Sequence, residues 1–323
     1  MSKIEGTCHP DPTAVFHPGE QKIQEAFGVR QQVARMGHRA IVPYIDEYFQ
    51  DFYARLNYVV LAANDGNGQL WATLLLGEPG IITSPDPHSL QIRAEFDAQD
   101  PVGSALYAGA ALAVLGIDFA SKGRLRAGGH VSAPVHHGLL RIAVNQSYGN
   151  CPKYIWPRRP PEPSATNAVP THDWTRLDDP RVRSIIEHAN TFFIASQHDD
   201  PQMPQASGLD VSHRGGQTGL LQIQDAALIW PEYQGNYFFN TLGNLVLNPS
   251  CGLLILDFDS GSVVQLTGSA AIIWLDEQDP KVEGNAQVNC KVRFIPDKVL
   301  LRSHAMAGGW RSFDSAYGTL GYL

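Results

Sequence analysis

One block of sequence occurs twice in this chain, and no other feature constrains the fold as strongly. Residues 115–129 (LGIDFASKGRLRAGG) align without a gap on residues 254–268 (LILDFDSGSVVQLTG). Further matches, at the same offset or a slightly shorter one, pair residues 80–82 with 219–221 and residues 58–60 with 192–194. A chain that repeats a β unit is expected to pack its two copies against each other.

The two offsets differ, which predicts a short insertion in the second copy around Asp210–Arg214. Only the second copy would have this insertion. An asymmetric insertion in a duplicated fold is expected to mark the copy that retains a functional site.

Charge and cysteine content exclude several classes of function. The chain carries 24 Lys and Arg against 32 Asp and Glu, a formal net charge of −8, so nucleic acid and anionic membrane surfaces are poor candidate partners. The four cysteines are scattered without a CxxC pair, and the adjacent His136 and His137 cannot share one helix face, so we predict no metal site. Without a signal segment or a long apolar run, we expect a soluble, cytoplasmic protein.

The order of helix and strand patterns predicts a mainly β, α+β fold with two barrels in one chain. Helices are expected over Glu20–Met36, Pro43–Arg55 and Asp179–Ala189, and residues 64–68 (NDGNG) predict a hairpin turn. Each copy then holds about six short antiparallel strands, which is typical of a small closed or partly closed barrel. The predicted units are an N-terminal arm with helices (1–56), a first barrel (57–156), a Pro-rich linker (157–178), a second barrel (179–280) and a C-terminal extension (281–323).

Three clusters of polar residues are candidate sites. Ser212–Gly216 (SHRGG) places an arginine beside paired glycines, so that a guanidinium and backbone N–H groups could hold a phosphate; an ordinary glycine-rich loop is the alternative. Asn236–Asn244 opens from aromatics into a turn that could begin a phosphate-binding helix, although simple turn chemistry also explains it. Asn145–Ile155 suits a polar rim over a planar ligand or a structural cap on the barrel.

Several segments together resemble the FMN-binding split-barrel proteins related to pyridoxamine 5′-phosphate oxidase, in particular their large, internally duplicated bacterial branch. The matching segments are Phe16–Glu20, Pro79-Gly80, Gln146–Ile155, Ser212–Gly216, Gly235-Asn236 and Leu242–Asn244 through Asp257-Phe258. The resemblance implies two antiparallel split barrels that form a pseudo-dimer within one chain and hold FMN between them.

The resemblance also implies a set of flavin contacts. The family's arginine and lysine are absent from the turn Asn240, Thr241, Gly243 and Asn244, so phosphate neutralisation would fall to Arg214 and Lys153, with the amides of Gly215 and Gly216. The remaining expected contacts are Gln146, Ser147 and Ser207 at the isoalloxazine edge, Tyr154 or Trp71 over a ring face, and His213 in the same segment. The first copy lacks these motifs, which predicts one FMN per chain, held mainly by the second copy.

Three functions remain open on this basis. The first is an FMN-dependent oxidoreductase that acts on a small molecule, receives electrons from a separate reductase and forms a homodimer; no residue is assigned as nucleophile or general base. The second is a non-catalytic carrier or sensor of flavin, haem or deazaflavin, and the third is a scaffold that has lost its ligand. Oxidation of pyridoxamine phosphate itself is not expected, because few cations accompany the motifs.

Overall fold

The computed structural model describes residues 15–161, 170–203, 206–276, 279, 282–283 and 286–313. Most of the predicted N-terminal arm, the proline-rich centre of the linker and the last residues of the tail therefore lie outside the described residues. No helix within the described ranges combines the length and apolar character needed to span a membrane.

Mainly antiparallel strands build the chain, with short helices before each copy. The first half contains α1 (Pro18–Ala26), α2 (Arg30–Ala40), α3 (Glu47–Ala54), β1 (Tyr58–Asn64), β2 (Leu70–Leu76), β3 (Ile82–Asp86), β4 (Ser89–Arg93), α4 (Pro101–Ser104), β5 (Ala111–Asp118), β6 (Gly123–His136) and β7 (Leu139–Gly149). The second half contains β8 (Arg158–Arg159), β9 (Thr171–Thr175), α5 (Pro180–His188), β10 (Thr191–His198), β11 (Gly208–Gly215), β12 (Gln222–Gln224), β13 (Ala227–Tyr233), α6 (Asn240–Leu247), β14 (Ser250–Leu256), β15 (Val263–Trp274), β16 (Val282–Glu283), β17 (Ala286–Ser303) and β18 (Arg311–Ser312).

The two sheets have the same strand order, which confirms that the copies share a topology. The first sheet runs β2-β1-β5-β6-β7-β4-β3, and the main path of the second runs β11-β10-β14-β15-β17-β13-β12. Each strand of the first path has a counterpart at the same place in the second. The predicted mainly β, α+β fold with two antiparallel units and N-terminal helices is confirmed at this level.

The copies pack against each other through a shared core. One buried cluster belongs to each sheet, and a third draws side chains from both. Val60 and Leu115 of the first copy meet Phe193 and Leu254 of the second in this third cluster. Burial of apolar surface from both copies makes the pair of sheets one packed body.

The strand registers correct the alignment of β1 with β10. Val60 pairs with Leu115, and Phe193 pairs with Leu254. Since Leu115 and Leu254 are equivalent in the repeat, Val60 corresponds to Phe193 and not to Ile194. A slip of one residue would turn every side chain of the strand to the opposite face, and both Val60 and Phe193 indeed lie in the shared core.

The predicted insertion at Asp210–Arg214 is wrong for the same reason. Thr73 pairs with Leu61 in the first sheet, and Ser212 pairs with Ile194 in the second, so Ser212 is the counterpart of Thr73. The segment is therefore part of strand β11. By the same registers Asn64 corresponds to Gln197 and Leu70 to Leu209, so the extra residues of the second copy fall between Gln197 and Leu209.

Two helix boundaries also differ from expectation. The helix expected over Glu20–Met36 is interrupted at Gly28, whose φ of 68° ends α1 in the left-handed region that favours glycine. Gly37, the expected stop, lies inside α2. A glycine fits this position because the Phe16 ring packs where a side chain would otherwise be. The other two expected helices correspond to the shorter α3 and to α5.

The second sheet continues beyond residue 280, where the sequence placed the start of a C-terminal extension. Strand β17 lies inside this sheet between β15 and β13, and β9 of the expected linker pairs with it. The alternating buried residues Val288, Cys290, Val292 and Phe294 are the period-two signal of a strand. This boundary is corrected.

Candidate functional site

A basic cleft lies where β6 of the first copy meets β11 and the start of α6 in the second. Its cavity has a volume of about 90 Å³. Three arginines, one histidine and the first turn of α6 line it: Arg124, Arg126, Arg214, His213, Asn240, Thr241 and Leu242. We call this site the basic cleft. Arg124 and Arg126 reach it together because alternate residues of a strand share one face.

Partners within the protein already occupy most of the Arg126 guanidinium. Its Nη1 donates to Asp210 Oδ1 at 2.9 Å, to the Tyr148 hydroxyl at 3.1 Å and to Asn240 Oδ1 at 3.3 Å. Its Nη2 donates to the Ser212 hydroxyl. The Asp210 carboxylate balances its charge at short range.

Arg124 is the cation of the basic cleft that has no carboxylate contact within the described residues. Its Nη1 lies 3.0 Å from His213 Nδ1, and its Nε is buried without a hydrogen-bond partner. Burial, together with the neighbouring charge of Arg126, lowers the pKa of Arg124 to about 9. The side chain is therefore still a cation at neutral pH.

His213 is a neutral hydrogen-bond donor inside the basic cleft. The ring is 3% exposed, and burial together with the neighbouring Arg124 holds its pKa well below the usual range. Since Nδ1 accepts from Arg124, the proton of the neutral ring is assigned to Nε2. That Nε2 is buried and makes no hydrogen bond with any described residue.

Arg214 and Gly216, two residues of the expected phosphate site, make hydrogen bonds within the protein. Arg214 Nε donates to Glu232 Oε1 at 2.7 Å. The Gly216 amide donates to Asn190 O at 3.0 Å, and Gly215 lies opposite Thr191 in the β10–β11 ladder. These hydrogen bonds engage Arg214 Nε and the Gly216 amide within the protein.

The first turn of α6 supplies uncapped amides to the basic cleft. Its N-cap, Phe239, has a left-handed φ of 61° and makes no side-chain capping bond. The hydroxyl of Thr241, the second residue of the helix, caps no helix amide and donates to the Ser212 hydroxyl at 2.9 Å. The first amides of a helix lack intrahelical partners and favour a negative charge, so the N-terminus of α6 would stabilise an anion.

A larger cavity adjoins the basic cleft. Its volume is about 1170 Å³, and it shares Tyr154, Leu220 and Tyr233 with the smaller cavity. The polar atoms of its aromatic residues are used inside the protein: the Tyr154 hydroxyl donates to Gln234 O at 2.9 Å, and Trp156 Nε1 donates to Gly216 O at 2.5 Å. We call this cavity the aromatic cleft, because it presents ring surfaces.

The duplication creates an equivalent place at the other end of the shared core, with opposite charge. Gln265 pairs with Leu254 as Arg126 pairs with Leu115, so Gln265 is the counterpart of Arg126. A cavity of about 400 Å³ lies beside it, and its charged lining residues are Glu95, Asp97, Asp100 and Arg302. We call this site the acidic cleft.

The acidic cleft contains its own anion at a helix start. Asp100 is the N-cap of α4, and its Oδ1 accepts from the Val102 amide at 2.9 Å. Its Oδ2 accepts from the Thr73 hydroxyl and from Arg302 Nη1. A carboxylate thus occupies this helix start and is neutralised by a buried arginine.

No family model and no curated protein matches this chain. Among solved structures, a protein related to general stress protein 26 of the pyridoxinephosphate oxidase family, from Clostridium acetobutylicum, has 11% identity and a TM-score of 0.26, with 42% of this chain and 92% of that chain covered. An FAD-binding protein from Mesorhizobium loti has 12% identity, a TM-score of 0.27 and coverages of 42% and 98%. The FAD-binding protein from Mycobacterium smegmatis has 13% identity, a TM-score of 0.26 and coverages of 40% and 98%.

The chain is similar to pyridoxamine 5′-phosphate oxidase-like proteins. This is the family that its motifs resemble. At these identities and TM-scores, no residue role is carried over from the neighbours to this chain.

The structure brings about half of the expected site residues together. His213, Arg214, Gly215, Asn240, Thr241 and Tyr154 line the basic cleft, and Gly216 and Tyr154 line the aromatic cleft. The others lie elsewhere: Gln146 and Ser207 line a separate cavity of about 320 Å³, Ser147 is buried and donates to Tyr44 O, Gly243 packs on Glu20, Asn244 donates to Ser196, and Lys153 is exposed. Trp71 is buried in the core of the first sheet.

Sequence reasoning missed Arg124 and Arg126. Both lie in the repeated block itself, where the second copy has Val263 and Gln265. Charged residues at two alternate positions in one copy only were a signal available from the repeat. Neither arginine directly precedes a pair of glycines, whereas Arg214 does.

Proposed function

We propose that this chain binds FMN, with the phosphate in the basic cleft and the isoalloxazine ring in the aromatic cleft. The comparison of the two clefts carries the proposal. In the acidic cleft a carboxylate of the chain, Asp100, fills the helix start. At the start of α6 no described carboxylate does so, and Arg124 has no carboxylate partner among the described residues, whereas Arg302 of the acidic cleft is paired with Asp100. A negatively charged ligand group would therefore be stabilised at the start of α6, beside Arg124.

The residues present fit the phosphate of such a ligand. The amides of the first turn of α6, the Arg124 guanidinium and the His213 Nε2 hydrogen are donors that favour a phosphate. Tyr154 and Tyr233, whose ring centroids are 5.2 Å apart, would offer apolar surface to the ring. Bound FMN would supply hydride or electron transfer, and the chain would bind and orient it.

An oxidoreductase acting on a small molecule, supplied with electrons by a separate reductase, is the function that we propose. A flavin carrier is the second candidate. The described lining of the aromatic cleft favours the carrier. Its charged residues are Lys122 and Glu283, and Glu283 already accepts a hydrogen bond from Tyr233. General acid–base chemistry would need a free titratable group near the substrate.

Titration calorimetry of the flavin-free chain with FMN tests the proposal. We expect one FMN per chain, and Arg124→Met should weaken binding at least 30-fold while riboflavin, which lacks the phosphate, binds weakly to both proteins. FAD should be titrated beside FMN, because two of the similar structures are FAD-binding proteins.

Arg183→Met is the matched control, since it removes the same charge from an exposed ion pair on α5. Two FMN molecules per chain, or an unchanged affinity in Arg124→Met, would contradict the assignment. Turnover of bound flavin with an external acceptor would then separate the oxidoreductase from the carrier.

A further inference from the structure

We propose that the basic cleft holds its phosphate ligand exchangeably, because two carboxylates of the chain compete with that ligand for the arginines. Asp210 pairs with Arg126 at 2.9 Å, and Glu232 pairs with Arg214 at 2.7 Å. Where the ligand is a flavin, which rests on the proposed function, the chain takes it up and releases it and does not keep it as a permanent prosthetic group.

The charges of the basic cleft leave one arginine uncompensated. Arg124, Arg126 and Arg214 face the carboxylates Asp210 and Glu232. Glu20, the acid next to Asn240, makes no ion pair with these arginines, and burial raises its pKa well above the usual range. A phosphate monoester carries about −1.5 to −2 at pH 7, so the single free cation balances it incompletely.

Directed hydrogen bonds tie Asp210 to Arg126 and Ser212, which line the basic cleft. The Thr241 hydroxyl donates to Ser212 Oγ at 2.9 Å, and the Ser212 hydroxyl donates to Asp210 Oδ2 at 3.0 Å. Asp210 therefore fixes both hydroxyl protons as well as the Arg126 fork. Trp71 is the first-copy counterpart of Asp210. It pairs with Ala63 as Asp210 pairs with Ser196, and Ala63 corresponds to Ser196.

Neutralising Asp210 without changing its shape should therefore strengthen binding. Asp210→Asn removes the negative charge and keeps one oxygen for Arg126; its amide N–H replaces the oxygen that accepts from Ser212, so the Ser212 hydroxyl has to turn and accept. We expect FMN affinity to rise at least fivefold and its release, followed by stopped-flow fluorescence, to slow by a similar factor. Riboflavin affinity should not change, and the FMN affinity of the variant should depend more steeply on salt.

A second variant and a control keep the test independent of folding defects. Glu232→Gln frees Arg214 in the same way and should act in the same direction. Asp173→Asn removes an equal charge from the exposed pair with Arg181, and it should change FMN affinity less than twofold. Thermal melting of each variant identifies any loss of fold.

The outcomes separate this inference from the proposed function. Tighter FMN binding in Asp210→Asn and Glu232→Gln supports it. Weaker or unchanged binding in both variants means that the carboxylates only position the arginines, and the inference is overturned. Equal gains for FMN and riboflavin would also overturn it. Wild-type chain that ignores flavins but binds inorganic phosphate, detected by phosphorus NMR and strengthened by Asp210→Asn, would refute the flavin function and retain the competition.

Discussion

The basic cleft and the acidic cleft occupy equivalent places in two sheets of the same strand order. They differ in whether a carboxylate side chain caps the helix that begins there. In the acidic cleft, Asp100 caps α4 and Arg302 neutralises it. In the basic cleft, α6 begins without a side-chain cap and Arg124 faces it without a carboxylate among the described residues. A carboxylate of the chain occupies the helix start in the acidic cleft, and we propose that a ligand occupies it in the basic cleft.

The strand registers pair residues of one cleft with their counterparts in the other. These pairs define substitutions that test the difference between the clefts. Arg302 corresponds to Asn150, since Leu301 pairs with Val264 as Gly149 pairs with Leu125. Replacing a residue by its counterpart asks whether that position accounts for the difference between the clefts.

The largest effect is expected from Arg302→Asn, which gives the acidic cleft the residue that the first copy has. The Asp100 carboxyl group would remain buried without its arginine, and breaking a buried pair on one side costs about 3–5 kcal/mol. Urea denaturation should therefore show a loss of this size in the free energy of unfolding.

Arg124→Met in the basic cleft is the comparison for that measurement. This arginine has no described carboxylate to leave unpaired, and its burial disfavours the charge. Its removal should leave the free energy of unfolding unchanged or raise it. Equal losses in both variants would contradict the division into an internal site and an open one.

The second exchange, Gly215→Leu, concerns the wall between the basic and aromatic clefts. Gly215 corresponds to Leu76, and a Cβ at Gly215 would lie 2.0 Å from Tyr154 O. The Tyr154 segment would have to move, at a cost of about 1–3 kcal/mol of stability. We expect FMN affinity, measured by calorimetry, to fall at least tenfold.

The reverse exchange, Leu76→Gly, is its control. Leu76 is 38% exposed, so its loss should change stability little beyond the glycine penalty of about 0.5–1 kcal/mol for a strand position. Retained FMN affinity in Gly215→Leu would show that the Tyr154 segment is not a wall of the site.

The fold was predictable from the sequence wherever the repeat carried the information. The duplication, the mainly β class and the hairpin at residues 64–68 follow from local patterns, and the Asn64 side chain does accept from the Gly66 amide. Strand β17 was missed because its counterpart β7 matches it only in alternation.

The site was harder to predict, because spatial neighbours decide which charges are free. Arg214 has the stronger local motif, but Glu232 on the adjacent strand engages it. Arg124 has no such motif and remains free of carboxylates only because of what surrounds it in the described fold. A sequence shows which residues are charged, whereas their pairing depends on long-range contacts.

The third exchange, His213→Leu, tests the neutral histidine through pH, since Leu74 is its first-copy counterpart. Burial and the neighbouring Arg124 hold the His213 pKa of the folded state well below its usual range, so as the pH falls from 7 to 5 the unfolded chain takes up more proton at this residue than the folded chain. Stability is therefore lost as the pH falls, by at most about 2 kcal/mol for an unfolded pKa near 6.5. Urea denaturation at pH 7 and pH 5 should show a smaller decrease in the variant, and identical decreases would place the charge change elsewhere.

The smallest effect is expected from Thr241→Val, at the second residue after the helix N-cap, where α4 has Val102. The change keeps the shape but removes the hydrogen bond from Thr241 to Ser212, which is worth about 1 kcal/mol in the free energy of unfolding. FMN affinity should fall no more than about threefold, because the α6 amides and Arg124 remain. Calorimetry and urea denaturation would measure the two effects. A loss of binding as large as that in Arg124→Met would show that the hydroxyl itself contacts the ligand, and that the clefts differ by a direct ligand contact as well as by charge.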